Sequence, residues 1–196
     1  MSRAAKLALA FAVSALVAHL GAVWATPYAL MRVAMNRLSG EGKAINGFAF
    51  GPRTTQSSRG VVRPSPDLAY SSCVYDLAGG PLLVTANPTP NNGYASLSVF
   101  AANTDNIGVF DSLRMPDGIR FILAREGQEV PKGERVLRSP SRTGIILDRR
   151  LAPDAATFVA ADRARRQDSC RSFKGEIETA PGRPVTPEAR TVPPSP

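Results

Sequence analysis

Four polar residues near position 70 could carry acid–base chemistry. Asp67, Tyr70, Tyr75 and Asp76 are close in sequence, and a pair of carboxylates is the minimum equipment of a glycosidase-like hydrolase, in which one group gives a proton and the other activates water or attacks. The alternative is structural, because Asp near a strand end usually bonds the local backbone and Tyr is common in strands. The candidate catalytic residues are Asp67, Tyr70 and Asp76.

Two further clusters could bind a ligand or a partner. The polar run Asn103–Asn106 follows a predicted strand, where binding residues often lie, although such runs are mostly turns. Four arginines surround Ser139-Pro140-Ser141 and could bind an anionic group through their paired N–H donors. The alternative is that they keep an exposed strand edge solvated and so prevent aggregation. These arginines are Arg138, Arg142, Arg149 and Arg150. The candidate binding residues are Asn103, Asp105, Arg138 and Arg142.

The residue types that are scarce exclude several classes of enzyme. His19 is the only histidine and lies in an apolar run, which excludes Ser-His-Asp and Cys-His catalysis and His-ligated zinc in the rest of the chain. Two cysteines cannot form a Cys₄ site, and neither GxxxxGK nor GxGxxG occurs, so we expect no nucleotide, metal or other cofactor. A site of carboxylates that binds a hard cation is a remaining alternative, although the aspartates do not have the spacing of an EF-hand. Its candidate ligands are Asp67, Asp76, Asp105 and Asp111.

Short strands would have to position these side chains. Tyr70–Leu77 alternates, with Ser71, Cys73, Tyr75 and Leu77 on the predicted core face. Gly79-Gly80-Pro81 then predicts a β-hairpin into Leu82–Thr85. After the breaker NPTPNNG, the alternation of Tyr94–Ala101 predicts a third antiparallel strand. Four shorter strands are predicted at Ile107–Phe110, Arg120–Ala124, Arg135–Leu137 and Thr143–Asp148. Pro153 and Asp154 begin a predicted helix, Ala155–Ser169.

The N-terminus predicts an export signal or a membrane anchor. Arg3 and Lys6 precede the uncharged run Leu7–Met31, which is long enough to span a bilayer. Val23 and Ala25 fit a signal-peptide cleavage site, but the run is longer than the usual signal core, so we favour an uncleaved anchor over cleavage at Ala25. A buried helix of a soluble protein is the third alternative and would need a larger surrounding core.

Charge and composition divide the chain into four segments. The segments are an anchor or signal (1–31), a linker (32–63), a β domain (64–171) and a Pro-rich tail predicted to be disordered (172–196). Residues 1–66 hold eight Lys/Arg and one acidic residue, whereas residues 67–152 hold nine of each. The basic excess therefore indicates a membrane surface rather than nucleic acid. The basic residues just after the apolar run do not favour export of the C-terminus, because positive charge tends to stay in the cytoplasm. The two cysteines favour export, because disulfides form in oxidising compartments.

Cys73 and Cys170 are predicted to form a disulfide. Both lie in the segment expected to be exported, and no third cysteine competes. Cys73 is on the inward face of its strand, and Cys170 closes the predicted C-terminal helix, so the bridge would hold that helix over the first hairpin. The alternative is a buried free Cys73 and an exposed Cys170.

Three blocks of sequence resemble a bacterial family named domain of unknown function 1254. They are PSPDLAYSSCVYDLAGGPLLV, SLSVFAANTDN and VLRSPSRTGIILDRR. The first two are similar to the family's Pro-x-x-Asp…Tyr-Ser…Asp-Leu…Gly-Pro pattern and its strand ending in Asn-Thr. The third is similar to its (Ser/Ala)-Pro-(Ser/Asn)-Arg segment. The resemblance implies a mainly β fold and, in long relatives, fusion to a second domain of unknown function, numbered 1214. Because the family has no settled activity, it supplies no catalytic residues.

Together the residues and the resemblance predict an antiparallel β sandwich or open barrel with an N-terminal transmembrane helix and a C-terminal helix. The chain is similar to a small anchored branch of the family whose companion domain is a separate protein. We therefore expect an extracytoplasmic binding or assembly domain, single-pass in the inner membrane with its body in the periplasm, that works with a companion envelope protein and no nucleic acid. The alternatives are a carboxylate-dependent hydrolase using Asp67 and Asp76, and a periplasmic protein cleaved at Ala25.

Overall fold

The apolar N-terminal run forms most of one long helix, α1 (Arg3–Leu38). The computed structural model describes residues 2–59, 64–130 and 132–173. Ala and Leu favour the helix, and the Ser2 side chain caps it by accepting the Ala5 N–H at 3.2 Å. Ser39 and Gly40, the latter with φ of 60°, end it. Of the helices described, α1 alone is long and apolar enough to cross a membrane.

Two β sheets pack face to face and form the body. In the described residues one sheet has the order β1-β2-β8-β4-β5 and is antiparallel throughout; the other has the order β7-β6-β3-β9, in which β6 and β7 are parallel. The mainly β prediction is confirmed, and neither sheet closes into a barrel. The strands are β1 (Phe48–Phe50), β2 (Leu68–Asp76), β3 (Leu82–Ala86), β4 (Ala95–Ala101), β5 (Asn106–Asp111), β6 (Ile119–Arg125), β7 (Val136–Ser139), β8 (Thr143–Leu151) and β9 (Ser169–Ser172).

The core lies between the sheets, and the predicted inward face of β2 is confirmed. Cys73, Tyr75 and Leu77 are all buried in one cluster with side chains from the second sheet. Phe110 of β5 and Phe121 of β6 stack across the interface with ring centroids 4.3 Å apart. The alternation of β2 therefore predicted correctly which side chains would fill the sandwich.

The predicted hairpin between β2 and β3 is wrong. β2 pairs with β1 and β8, whereas β3 pairs with β6 and β9, so Gly79-Gly80-Pro81 carries the chain from one sheet to the other. Tyr94–Ala101 likewise does not extend a hairpin, since β4 pairs with β8 and β5. Gly and Pro specify a reversal of the chain, but the pairing partner depends on strands that are distant in sequence.

The predicted C-terminal helix is correct at its start and too long at its end. α2 (Ala155–Arg165) begins with a capping box between Asp154 and Thr157. It ends before Asp168, whose carboxylate binds the Asn87 N–H at 2.8 Å and turns the chain into β9. Cys170 therefore lies in an edge strand and not at the end of a helix.

The disulfide between Cys73 and Cys170 is confirmed, although it connects different elements from those expected. It joins β2 of the first sheet to β9 of the second sheet, across a sequence separation of 97. The bridge consequently holds the two layers of the sandwich together.

The segment that the sequence predicts to be a linker is structured over much of its described part. α1 continues to Leu38, and residues of its last two turns pack on the outer face of the first sheet. The contacting side chains are Met31, Ala34, Met35 and Leu38 from α1 with Val74, Phe100 and Ile145 from the sheet. β1 then pairs with β2. Most of the predicted tail, from residue 174 onward, lies outside the described residues.

Candidate functional site

The two candidate catalytic aspartates lie at opposite ends of β2. Asp67 precedes its first residue and Asp76 is its last. With a rise of about 3.3 Å per residue, the two backbone positions are about 30 Å apart. Glycosidase carboxylates lie about 5 to 9.5 Å apart. The structure therefore does not bring Asp67 and Asp76 together as an acid–base pair.

Asp67 and Tyr70 occupy structural positions at the start of β2. Asp67 is exposed, its N–H donates to Ser65 Oγ at 3.3 Å, and its carbonyl accepts the Ala152 N–H at 2.8 Å. The Tyr70 hydroxyl accepts the Ser65 N–H at 2.9 Å. These contacts fix the turn that leads into β2. Those of Asp67 are made by its backbone and not by its carboxylate, which is the group that the structural alternative expects to bond the local backbone.

The remaining candidates gather at the other end of the sandwich, where three connections meet. We call this region the Arg142 end and define it by Asp76, residues 102–105 and residues 139–142. The Arg142 carbonyl accepts the Leu77 N–H at 2.9 Å, and Ser141 Oγ accepts the Ala102 N–H at 2.9 Å. The end of β2, the β4–β5 turn and the β7–β8 loop are thus bonded into one surface.

Asp76 and Arg142 form an exposed ion pair on this surface. Arg142 Nε lies 3.4 Å from Asp76 Oδ1, and the two side chains are 60% and 32% exposed. Asp76 is held in place by other hydrogen bonds. Its carboxylate accepts the Ala78 N–H, and the Asn46 side chain accepts the Asp76 N–H and donates to the Asp76 carbonyl. The contact is longer than a good charge-assisted hydrogen bond. Arg142 can therefore leave Asp76 for another carboxylate at little cost.

Asn103, Asp105 and Arg138 are used mainly within the fold. Asn103 Nδ2 donates to Asp105 Oδ2 at 2.5 Å, and its Oδ1 accepts the Asp105 N–H, across a turn in which Thr104 has φ of 71°. Arg138 donates to the carbonyl oxygens of Arg125 and Gln128. Asn103 and Asp105 thus lie in the Arg142 end and Arg138 immediately precedes residues 139–142, where Arg142 is an exposed charged group.

A buried hydroxyl network beneath the Arg142 end was not anticipated. The Tyr75 hydroxyl donates to the Phe100 carbonyl at 3.1 Å and lies 3.0 Å from Ser139 Oγ, which in turn donates to the Ser141 carbonyl at 2.8 Å. Burial raises the pKa of Tyr75, although the hydrogen bonds from the two serines oppose this effect. At Gly144 a Cβ would lie 2.4 Å from the Tyr75 hydroxyl, so glycine permits the network. The inward position of Tyr75 was the available sequence signal.

A buried charge network lies at the opposite end, and it too was missed. Arg150 donates to Asp168 Oδ2 at 2.7 Å and to Asp148 Oδ2 at 3.4 Å, with all three side chains 0% exposed. It also donates to the Asn87 carbonyl and to Thr89 Oγ1, at 2.8 and 2.9 Å. The idea that Arg150 belongs to an exposed arginine cluster is therefore wrong. Arg149 points to the other face of β8 and donates to Ser98 Oγ.

Two carboxylates share the single guanidinium group of Arg150, which affects their protonation. Burial raises the pKa of Asp148, and Arg150 and the Ser71 hydroxyl oppose the rise. Burial also raises the pKa of Asp168 to about 6, against the attraction of Arg150. Arg150 and Asp168 come from different elements, and each looks like an ordinary surface residue in the sequence. The network bonds both sheets and joins them at this end.

The described residues contain no group of three or more His, Cys, Asp or Glu that could hold a metal ion. At the Arg142 end, the charged groups can form salt bridges with a partner, and the buried tyrosine and serines support the loop that carries Arg142. This arrangement is suited to recognition by charge.

Comparisons with known proteins identify a family and a fold. The sequence profile described as "Protein of unknown function (DUF1254)" matches residues 45–172. The solved structure of the VPA0106 protein from Vibrio parahaemolyticus aligns with a TM-score of 0.62 and 16% identity, over 85% of this chain and 41% of that one. An uncharacterized protein from Burkholderia cenocepacia aligns with a TM-score of 0.43 and 16% identity, over 87% and 46%. The chain thus spans less than half the length of these structures. No curated protein matches it.

Proposed function

Because the chain belongs to the DUF1254 family of unknown function, we propose its role from the geometry: it is a membrane-anchored, extracytoplasmic binding or assembly domain that recognises a companion envelope protein through the Arg142 end. The periplasmic location and the companion are parts of this proposal. The alternative of a hydrolase using Asp67 and Asp76 loses its support, because the two groups lie at opposite ends of a nine-residue strand.

The observation that carries the proposal is the continuity of α1 with the body. The apolar run of the helix is largely exposed, but its last residue, Met31, is buried against the first sheet. A long exposed apolar helix is unfavourable in water and is satisfied in lipid. The same helix is thus equipped both to span a membrane and to hold the β domain directly at its surface.

Two further features support the extracytoplasmic and binding parts. The Cys73–Cys170 disulfide is typical of oxidising compartments. At the Arg142 end, the weak exposed pair with Asp76 leaves the Arg142 guanidinium group able to bind a partner's carboxylate by two parallel hydrogen bonds.

Fractionation of the full-length protein tests the anchor and its orientation. We expect a C-terminally tagged chain to stay in the membrane pellet after carbonate extraction and to be digested when protease is added to spheroplasts. Recovery in the soluble cytosol, or protection from protease in intact spheroplasts, would contradict the proposal. A product about 25 residues shorter would identify cleavage at Ala25 instead.

A further inference from the structure

His19 lies at the centre of the apolar part of α1. Thirteen positions separate it from Lys6 on one side and from Arg32 on the other. At a rise of 1.5 Å per residue, each charge is about 20 Å away along the helix. If α1 spans a bilayer as the proposed function requires, the imidazole ring lies near the middle of a hydrocarbon layer about 30 Å thick. Its short side chain cannot reach either interface.

The ring has no hydrogen-bond partner among the described residues. The nearby polar side chains are satisfied by their own helix, since Ser14 Oγ donates to the Ala10 carbonyl at 2.8 Å and Thr26 Oγ1 to the Ala22 carbonyl at 2.6 Å. The side chain of His19 is exposed on the helix surface. A polar group left unpaired in hydrocarbon is costly, so a polar side chain at this depth requires a partner supplied by another membrane-spanning element.

The surroundings of His19 suit contact with a second helix. At 100° per residue, the side chains of positions 8 to 26 that project between about 60° on one side of His19 and 20° on the other are small, whereas Leu16 and Val23 project about 60° and 40° away on that second side. The small side chains are Ala8, Ala12, Ala15, Ala22 and Thr26. The aromatic pair Trp24 and Tyr28, whose ring centroids are 5.4 Å apart, projects about 140° and 180° away, on the opposite side of the helix. The His19 face therefore permits close approach of two backbones.

We infer that this face binds a second copy of the chain, with His19 of one copy hydrogen-bonded to His19 of the other. A neutral imidazole carries one donor and one acceptor, so two rings complement each other. Identical anchors have the same orientation and depth, and a twofold axis along the membrane normal places the two rings opposite one another. No other sequence then has to supply a polar group at the matching depth. The inference rests on the membrane-spanning role proposed above.

Cysteine cross-linking of the full-length protein in native membranes tests this pairing. Among the described residues both native cysteines are in the disulfide, so an introduced thiol reports its own contacts. Ala12→Cys lies about 20° from His19 and Ala10→Cys about 180° from it. We expect oxidation to give a product of doubled mass with Ala12→Cys and none with Ala10→Cys. Equal yields from both, no product from either, or a product containing a different protein would overturn the inference.

Substitution of His19 separates the hydrogen bond from mere proximity. In the Ala12→Cys background, His19→Leu should lower the association constant roughly 3- to 30-fold, the range of measured interhelical hydrogen bonds, whereas His19→Asn, which keeps a donor and an acceptor, should retain most of it. Unchanged association of His19→Leu would overturn the imidazole pairing. Carbonate extraction of each variant distinguishes the failures: protein that leaves the membrane contradicts the proposed function, and an integrated monomer contradicts this inference alone.

Discussion

Arg150 of β8 and Asp168, just before β9, form a buried ion pair that joins the two sheets, with 2.7 Å between Nη2 and Oδ2. The exposed pair of Arg120 and Glu134 has the same 2.7 Å separation, but its side chains are 51% and 26% exposed. The two pairs share this distance but differ in burial and in the additional partners of Arg150. Comparing them measures what the buried network contributes at this site.

The first prediction concerns the loss of each arginine. Arg150→Ala leaves two buried carboxylates without a counter-charge and should lower the free energy of unfolding by about 3 to 5 kcal/mol. Arg120→Ala should change it by less than about 1 kcal/mol. Urea unfolding of the full-length protein in detergent measures both. Similar values for the two variants would show that the Arg150 network is not a buried charge cluster.

The second prediction concerns the pH dependence of stability. The pKa of Asp168 is raised to about 6 in the folded protein, above its ordinary value of 3.8, so folding takes up a proton between these values. The resulting contribution is fully present below pH 3.8 and is lost as the pH rises through about 6. Relative to Asp168→Asn, the wild type should therefore lose roughly 1 to 3 kcal/mol between pH 4 and pH 7. If the two proteins have parallel stability profiles, the assignment to Asp168 is wrong.

The third prediction concerns the disulfide. Closing a loop of this length restricts the unfolded chain by about 4 to 5 kcal/mol in the entropic description. Cys73→Ala combined with Cys170→Ala should lower the free energy of unfolding by a comparable amount, measured without reductant. Alkylation of the unfolded wild type without reductant should label no thiol at either position. Labelling of both would contradict the bridge.

The fourth prediction concerns partner binding at the Arg142 end. Arg142→Glu should remove the companion protein from affinity purifications of envelope extracts, because it places a second negative charge next to Asp76 and repels a partner's carboxylates. Its stability should change by less than about 1 kcal/mol, since the pair is exposed. Arg114→Glu is the matched control, because Arg114 is also exposed and follows β5 at the opposite end of the sandwich. If Arg142→Glu leaves every co-purifying protein in place, recognition by the Arg142 surface is excluded.

The sequence was sufficient for features that depend on local pattern. Alternation placed Cys73 and Tyr75 inside, and Pro153 with Asp154 predicted the start of α2. The pairing of β2 and β3 could not be found in this way, because periodicity reports which face is buried and not which strand lies alongside. Local pattern did predict the four strands after β4, with ends shifted by a few residues.

The candidate site was predictable only in part. The sequence predicted two separate clusters, Asn103 with Asp105 and Arg138 with Arg142, and the structure brings them to the same end of the sandwich, since turns at one end of neighbouring strands meet. Arg150 was misplaced because the sequence of β8 does not reveal that Asp148 and Asp168 would accompany it inside. Buried charges look like surface charges until long-range contacts bring their partners together.

The bridge between Cys73 and Cys170 also makes a covalent ring that contains strands β3 to β8. A protease that cuts once within the ring, for example in the exposed loop at 126–129, would leave two fragments still joined to each other and to α1. A cut in the largely exposed segment at 55–59, before the ring, would instead leave the body attached to α1 only by non-covalent packing. A cut inside the ring therefore leaves the fragments covalently joined until a reductant is added. A cut before the ring breaks the covalent link to α1 without a reductant.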